Sequence, residues 1–450
     1  MTYSKDTRSI ESGEIYVAIE GEHYDGHDFI PEAIEKGAAG VVTEQDLGAR
    51  GIDVPSGVEV TRVDDSIGYL TEQATEKIDR LGPDITAITG SMGKTTTKVA
   101  LRAVLREGFD HVIASAGNKN TPLGLSLLIL NSEITPDTKL ILEMGVRLPG
   151  DLKELCGYFP PDVAVITNVR AVHVETLGSI AGVQREKSEL VRALTAEGTA
   201  CLNGDDERVM AMDEVNDGAT ITYGLGEGCD VGPERLTATL PSLGAPAQYT
   251  ALAAMSAGLA FGLSDEQIND GLEQMEPEKG RLRRLRGRGG SVLIDDSYNA
   301  SPEAVRAALS VLDEQAEEQR DEHGRTRRIA FLGDMLELGE TEVEQHTQIL
   351  SEALDATDVL HAVGDLTARG AAALPPEQRE RVTLHETSTA LAEALRSGAA
   401  AYEPQRGDVI LVKGSQGPRM ERVSEALLHE DLDPADVLPR QSQSWKELSD

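Results

Sequence analysis

The apolar residues of this chain fall into short runs separated by amphipathic or polar stretches. "EIYVAIEG" has the pattern of a strand, and "PEAIEKGAAGVVTE" that of a helix passing into a strand. A polar helical pattern, "SIGYLTEQATEKIDRLG", leads to Pro83. Beyond it "DITAITG" predicts a buried strand, "KTTTKVALRAVLREG" a helix beginning at a glycine turn, and "LILEMG" and "VAVITNV" two further strands. Apolar strands alternating with helices predict a parallel sheet covered on both faces. A weaker region, about 204–248, is rich in Gly, Asp and Pro. A second alternating section follows, with strands at "SVLIDDSYN", "RIAFLGD", "DVLHAVGD", "RVTLHE" and "DVILVKGS". The tail after about 430 is polar and is expected to be loosely ordered. No internal repeat is present.

Composition narrows the class. A chain of 450 residues, 40% apolar, is too long for one core and long enough for several domains. Acidic residues number 78 against 42 basic ones, a formal charge of −36. The acids are scattered rather than gathered in a tail. Such a surface disfavours nucleic acid and anionic membrane as partners. It fits a protein of a high-salt habitat better than an acidic interaction protein, because salt screens the self-repulsion. Three cysteines, Cys156, Cys201 and Cys229, without a CxxC pair, argue against disulfides and a zinc site. The start "MTYSKDTRSI" lacks an apolar signal core, and no apolar run reaches the ~20 residues of a membrane helix. A cytoplasmic protein without membrane insertion is expected.

The chemistry concentrates at "ITGSMGKTTTK". Gly90, Ser91, Met92 and Gly93 precede Lys94, Thr95 and Thr96, between a predicted strand and a predicted helix. Ile88 stands where the usual phosphate loop has its first glycine, so this loop is short. Glycines let backbone N–H groups turn toward phosphate oxygens, and a helix N-terminus adds its dipole. Lys94 then bridges the β- and γ-phosphates of a nucleotide, and the Thr95 hydroxyl holds Mg²⁺. A plain strand-to-helix glycine turn is the competing reading; the flanking elements favour phosphate. Glu143 ends "LILEMG" and His173 follows "ITN" after a short loop, both toward the carboxyl edge of the predicted sheet. Alone, His173 reads as a surface or packing histidine. Beside Thr95 and Glu143 it reads as a ligand.

"TGSMGKTTTK", "ITNVRAVHVETLGS", "QREKSELV", "LNGDDERV", "DDSYNASPEAVRAAL", "LGDMLELGE" and "VKGSQGPRMERV" together resemble, in order and spacing, the Mur ligase family of ATP-dependent amide-bond-forming enzymes. "DTRSIESGEIYVAIEGEHYDGHDFIPEAIEKGAAGVV" is similar to the family's uridine-nucleotide-binding domain, and the resemblance spans about residues 3–425. It implies an α/β fold of three domains: a small N-terminal substrate-binding domain over 1–81, a central P-loop parallel-sheet domain over 82–277, and a Rossmann-like C-terminal domain over 278–450 that closes over ATP. It implies ATP, two Mg²⁺ ions, and a carbamylated Lys187 bridging the second ion. Metal ligands are then Thr95, Glu143, His173 and Lys187. The resemblance also places Arg281 of "GRL" on ATP phosphate, Asp296 on the nucleotide with Asn299 nearby, and Thr7, Arg8, Asn118 and Thr121 toward a UDP-linked substrate. Without the resemblance, Lys187 reads as an exposed helix lysine, and "DDSYN" as a strand-end turn. Assignment of "GDMLELG" and Lys413-Gly414-Ser415 to an incoming dipeptide follows only from their strand-end positions.

Within the family, the motifs are most similar to those of the branch joining D-Ala-D-Ala to UDP-MurNAc-tripeptide. The expected partners are small molecules, and a monomer is expected. Departures exist. Where the family carries "GxHNxxN", this chain reads "GAPAQYTALAA", with Pro246, Ala247 and Thr250 at the His and Asn positions. About forty residues connect the "NGDD" helix to that box, too few for the family's usual extra strands. Val146 stands where the family has a small Ala. These leave open a Mur-type ligase with another acceptor, in pseudopeptidoglycan or cofactor synthesis, and a non-catalytic nucleotide-binding protein on the same scaffold.

Overall fold

The computed structural model describes residues 2–21, 24–115, 117, 119–172, 174–320, 326–400 and 402–446. The chain forms two compact units, Met1–Leu236 with Leu252–Gly271, and Thr237–Ala251 with Leu272–Asp450.

The first unit contains two sheets. In the smaller, β1 (Tyr3–Ser4), β2 (Ile15–Val17), β3 (Gly40–Thr43) and β4 (Glu59–Arg62) are parallel and adjacent in chain order. Tyr16, Ile30, Ala33 and Val41 form its core. Val17, Val42 and Leu70 form a second cluster, against which Leu123 and Leu127 pack. Helix Ser66–Leu81 starts at an Asp65 cap and ends at Gly82 in the left-handed conformation. Its Lys77 Nζ donates to the carbonyls of Ile129 (2.9 Å), Leu130 (3.1 Å) and Ser132 (2.8 Å). These include terminal carbonyls of helix Pro122–Asn131, which lack intrahelical donors.

The larger sheet comprises β5 (Asp84–Thr89), β6 (Val112–Ala114), β7 (Lys139–Glu143), β8 (Val163–Ile166), β9 (Thr199–Asn203) and β10 (Ala219–Tyr223). Its order is β10-β9-β8-β5-β7-β6, all parallel. From β5 the chain builds β6 and β7 on one side, then crosses to β8 on the other. Loops at such a switch point diverge and open a crevice at the carboxyl edge. β5 carries the glycine loop, and β7 and β8 flank it. Of the weak region 204–248, β10 is the one strand named among the described residues.

The second unit has one sheet: β11 (Arg283–Arg286), β12 (Val292–Asp296), β13 (Arg327–Gly333), β14 (Val359–Val363), β15 (Val382–His385) and β16 (Asp408–Lys413), ordered β11-β12-β16-β13-β14-β15. β11 is antiparallel to β12 and the other pairs are parallel. Ile294, Ala330, Leu332 and Leu411 serve one core cluster; Leu293, Ile329, Phe331, Ile410 and Val412 serve another. The period of two sends alternate residues to opposite faces, which explains the unbroken apolar runs. Three sheets with their helices among the described residues give a three-domain α/β architecture.

One expectation fails here. The tail after 430 is docked: Val437 and Leu438 are 7% and 1% exposed and belong to the core. The apolar "VL" within the polar stretch buries into that core.

Candidate nucleotide and metal site

The glycine loop leaves β5 at its carboxyl end. Gly90 has φ +150°, and a Cβ there would lie 1.8 Å from Thr167 Oγ1. Only glycine fits where the loop passes against the end of β8. That end also straps the loop. Ser91 N donates to Asn168 O (3.0 Å), Met92 N to Asn168 Oδ1 (3.0 Å), and Thr167 Oγ1 to Met92 O (2.6 Å). Ser91 Oγ accepts from Arg170 N at 2.9 Å. The "NGDD" stretch supports the strap from behind. Asn203 Nδ2 donates to Thr167 O (2.8 Å), and Asp206 accepts from Val169 N (2.9 Å) and pairs with Arg170 (2.5 Å). Gly93, at φ +81°, turns the chain into helix Lys94–Arg106. The amides of that first turn lack intrahelical acceptors, and with the dipole they favour an anion. Lys94 Nζ lies 2.7 Å from Gly90 O and 3.3 Å from Ser91 O, over the loop.

Thr95 and Glu143 come together as the sequence predicts: Thr95 Oγ1 donates to Glu143 Oε2 at 2.9 Å. Glu143 is 1% exposed. Lys98 Nζ lies 3.1 Å from the same oxygen and also donates to Gly117 O; Asn120 Nδ2 donates to Glu143 Oε1 at 3.1 Å. Lys98 and Asn120 were not singled out in the sequence, nor were Thr167 and Asn168. For Lys98 a signal existed. It lies three residues after Thr95, on the same helix face, among the buried positions of an amphipathic helix.

The donor set fits magnesium. A hydroxyl and a carboxylate are hard oxygen ligands, and Mg²⁺ keeps several waters while taking few protein ligands. Among the described residues no three His, Cys, Asp or Glu side chains gather as a metal cage, and magnesium needs none.

Lys187 is not the exposed helix lysine that the sequence alone suggests. It is 4% exposed, on the inner face of helix Ile180–Arg192, without a hydrogen-bond partner among the described residues. Burial first, and the nearby Lys94 charge second, hold its pKa well below the usual lysine range. Its neighbour Glu186 is engaged elsewhere, accepting from Gly150 N and Leu152 N, each at 2.9 Å.

Other positions divide. His173 and Asn118 lie outside the described residues. Thr121 caps helix Pro122–Asn131, accepting from Gly124 N at 3.3 Å. Thr7 is buried, and its carbonyl accepts from Lys36 Nζ at 2.7 Å. Arg8 is exposed and paired with Asp6 at 2.6 Å. Ala247 and Thr250, at the altered box, are buried on helix Gly244–Ala260.

In the second unit, Asp296 ends β12 and is tied down by Lys413 Nζ (2.5 Å) and Leu282 N (3.2 Å). Lys413 also donates to Asn299 O at 2.9 Å. Ser415 Oγ donates to Ala300 O at 3.1 Å and accepts from Leu336 N at 3.0 Å, joining the "KGS", "DDSYNA" and "GDML" stretches at their strand ends. The Arg281 guanidinium lies 4.2 Å from the Tyr298 ring centroid, and its Nε is buried without a hydrogen-bond partner among the described residues.

Comparison with known proteins decides the family. Residues 3–66 match the model described as Mur ligase family, catalytic domain; 88–240 match the Mur ligase middle domain; and 280–416 match the Mur ligase, glutamate ligase domain. This chain belongs to the Mur ligase family. The UDP-N-acetylmuramoyl-tripeptide–D-alanyl-D-alanine ligase of Bacillus subtilis is 30% identical, covering 95% of this chain and 93% of its own length. That of Mycobacterium tuberculosis is 31% identical, covering 96% and 92%. Among solved structures, MurF from Acinetobacter baumannii superposes with a TM-score of 0.80 at 25% identity, covering 94% of this Mur ligase and 93% of that chain. MurF from Thermotoga maritima, in complex with ADP, gives 0.76 at 26%, covering 94% and 96%. The loop, Glu143 and the "NGDD" support lie within the middle-domain match.

Proposed function

We propose that this Mur ligase joins D-Ala-D-Ala to UDP-MurNAc-tripeptide, using ATP, in peptidoglycan precursor synthesis. The reading is carried by likeness, over nearly the whole chain, to relatives named for that reaction. The strapped glycine loop with Thr95 on Glu143 supports it, because a phosphoryl-transfer enzyme needs a phosphate cradle beside hard oxygen ligands.

In this reading the acceptor carboxylate takes the γ-phosphoryl group of ATP. Lys94 neutralises charge on the transferring group, and the first-turn amides hold the phosphates. Bound Mg²⁺ supplies further neutralisation, with Thr95, Glu143 and His173 as its assigned ligands. The acyl phosphate then meets the amine of the dipeptide; a tetrahedral intermediate forms and collapses, and phosphate departs. Closing the C-terminal domain would keep water from the acyl phosphate. Arg281, Asp296 and Asn299 belong to the second unit, and their assignment to ATP rests on motif resemblance, with the unpartnered Arg281 Nε as support. Thr7, Arg8, Asn118 and Thr121 are assigned to the UDP-linked substrate on the same ground.

Lys187 is proposed to take up CO₂, the amine forming an N–C bond and releasing a proton to give a carbamate. A buried lysine with no acceptor among the described residues and a second cation nearby is poorly placed as an ammonium. As a carbamate it becomes an anionic oxygen ligand. The domains are proposed as 1–81, 82–277 and 278–450, the protein as a monomeric cytoplasmic enzyme, and the −36 charge as an adaptation to high salt.

The test is phosphate release from ATP with UDP-MurNAc-tripeptide and D-Ala-D-Ala each supplied or withheld. Release that requires both supports the reading. Release indifferent to either one overturns the substrate assignment.

A further inference from the structure

The family match ends at residue 416, yet the chain past 428 is built into the second unit. His429 N donates to Arg286 O at 3.0 Å on the edge strand β11. The tail then runs along residues 279–283. Lys279 Nζ donates to Ala435 O at 2.6 Å, and Arg283 Nη1 to Val437 O at 3.0 Å. A Cβ on Gly280, which has φ +74°, would meet both Pro439 Cγ and Tyr298 N at 3.0 Å, so the tail, residues 279–283 and the "DDSYN" loop close on one point.

Arg440 follows in the left-handed conformation, φ 54°, unfavourable for a residue with a Cβ unless contacts hold it. The contacts are specific. Its side chain is 5% exposed. Nη1 donates to Ser297 O (3.2 Å) and to Glu421 Oε2 (2.9 Å), and Nη2 donates to Tyr298 O. Its guanidinium carbon lies 5.1 Å from the Tyr298 ring centroid, the ring that Arg281 also approaches. One planar fork therefore grips two successive carbonyls of the loop between Asp296 and Asn299, braces the aromatic ring against which Arg281 rests, and is itself anchored on a carboxylate 1% exposed. A lysine could satisfy Glu421 but could not reproduce the fork.

We propose that Arg440 is a positioning residue for the nucleotide: the C-terminal tail holds Ser297 and Tyr298, and through Tyr298 sets the Arg281 guanidinium. The proposal rests on the assignment of Arg281 and Asp296 to ATP. Arg440 touches no reacting atom in this scheme.

The experiment uses the full chain with Arg440→Lys, which keeps a cation beside Glu421 where Arg440→Ala would leave that carboxylate short of one. Binding of the non-hydrolysable analogue AMP-PNP is measured by calorimetry beside thermal melting, with Asp296→Asn in parallel. Expected for Arg440→Lys is an AMP-PNP Kd raised about tenfold, a matching rise in KM for ATP, and faster hydrogen exchange of residues 295–299, with kcat at saturating ATP little changed. A lowered melting temperature with unchanged Kd makes Arg440 a structural rivet and overturns the proposal. If Asp296→Asn weakens AMP-PNP binding and Arg440→Lys does not, the tail proposal alone fails. If neither variant weakens it, the assignment of this loop to ATP fails and takes the proposal with it.

Discussion

At the residue scale, the glycine loop shows how much a single side chain decides. Gly90 has no room for a Cβ, because Thr167 Oγ1 occupies that space and is itself bonded to Met92 O. Gly90→Ala must push the loop away from its strap. Overpacking of this kind costs about 1–3 kcal/mol, so ATP affinity and melting temperature should both fall, measurable by calorimetry and thermal melting. Lys187 is a different case, a buried amine with no hydrogen-bond partner among the described residues. Lys187→Ala should lower kcat by on the order of 100-fold while AMP-PNP still binds, and formate or acetate should restore part of the activity. Full turnover in that variant would remove Lys187 from the mechanism. Which of these residues was legible follows from physics. Glycine, Lys-Thr and a strand-end carboxylate have a local signature. Thr167 and Asn168 are ordinary polar residues until β8 is placed beside β5.

At the scale of elements, β14 and β15 join two imidazoles. His361 Nδ1 lies 2.9 Å from His385 Nε2, and the His361 ring stacks on Phe331 at 4.6 Å. Burial, reinforced by the second imidazole, pushes the His361 pKa down from 6.5 to about 4. The fold therefore holds the neutral ring. Its contribution to stability is complete above pH 6.5 and is lost as pH falls from there toward 4, at about 1.4 kcal/mol per pH unit. His361→Phe keeps the stacking and carries no charge, so denaturation curves between those pH values should be flatter for the variant. Equal slopes would exclude His361 as their source. The strands themselves were readable because sheets covered on both faces demand unbroken apolar runs. Their neighbours were not readable. Nothing local in "DITAIT" says that β7 lies on one side and β8 on the other, and that crossing is what puts the glycine loop at a switch point of the sheet.

At the scale of the whole molecule, the formal charge of −36 makes ionic strength the variable to test. The screening length falls from ~10 Å at 0.1 M salt to about 3 Å at 1 M, which removes most long-range repulsion among exposed carboxylates. The melting temperature should rise by several degrees across that range of KCl. A flat or falling curve would count against a high-salt adaptation. The tail marks the opposite limit of composition as a guide. Its polarity predicts a loose end, yet Val437 and Leu438 find a core and Arg440 finds three acceptors. What the sequence by itself determined was whatever rests on local chemistry: the alternation that makes α/β sheets, the glycine turn between strand and helix, the charge, and the motif order that marks a Mur ligase. Tertiary structure alone decided what depends on distance through space. It turned Lys187 inward and set Lys98 and Asn120 on Glu143. It also brought a carboxy-terminal arginine to a loop more than a hundred residues earlier. Periodicity and composition describe neighbours along the chain, whereas hydrogen bonds and burial are settled between segments that the chain itself keeps apart.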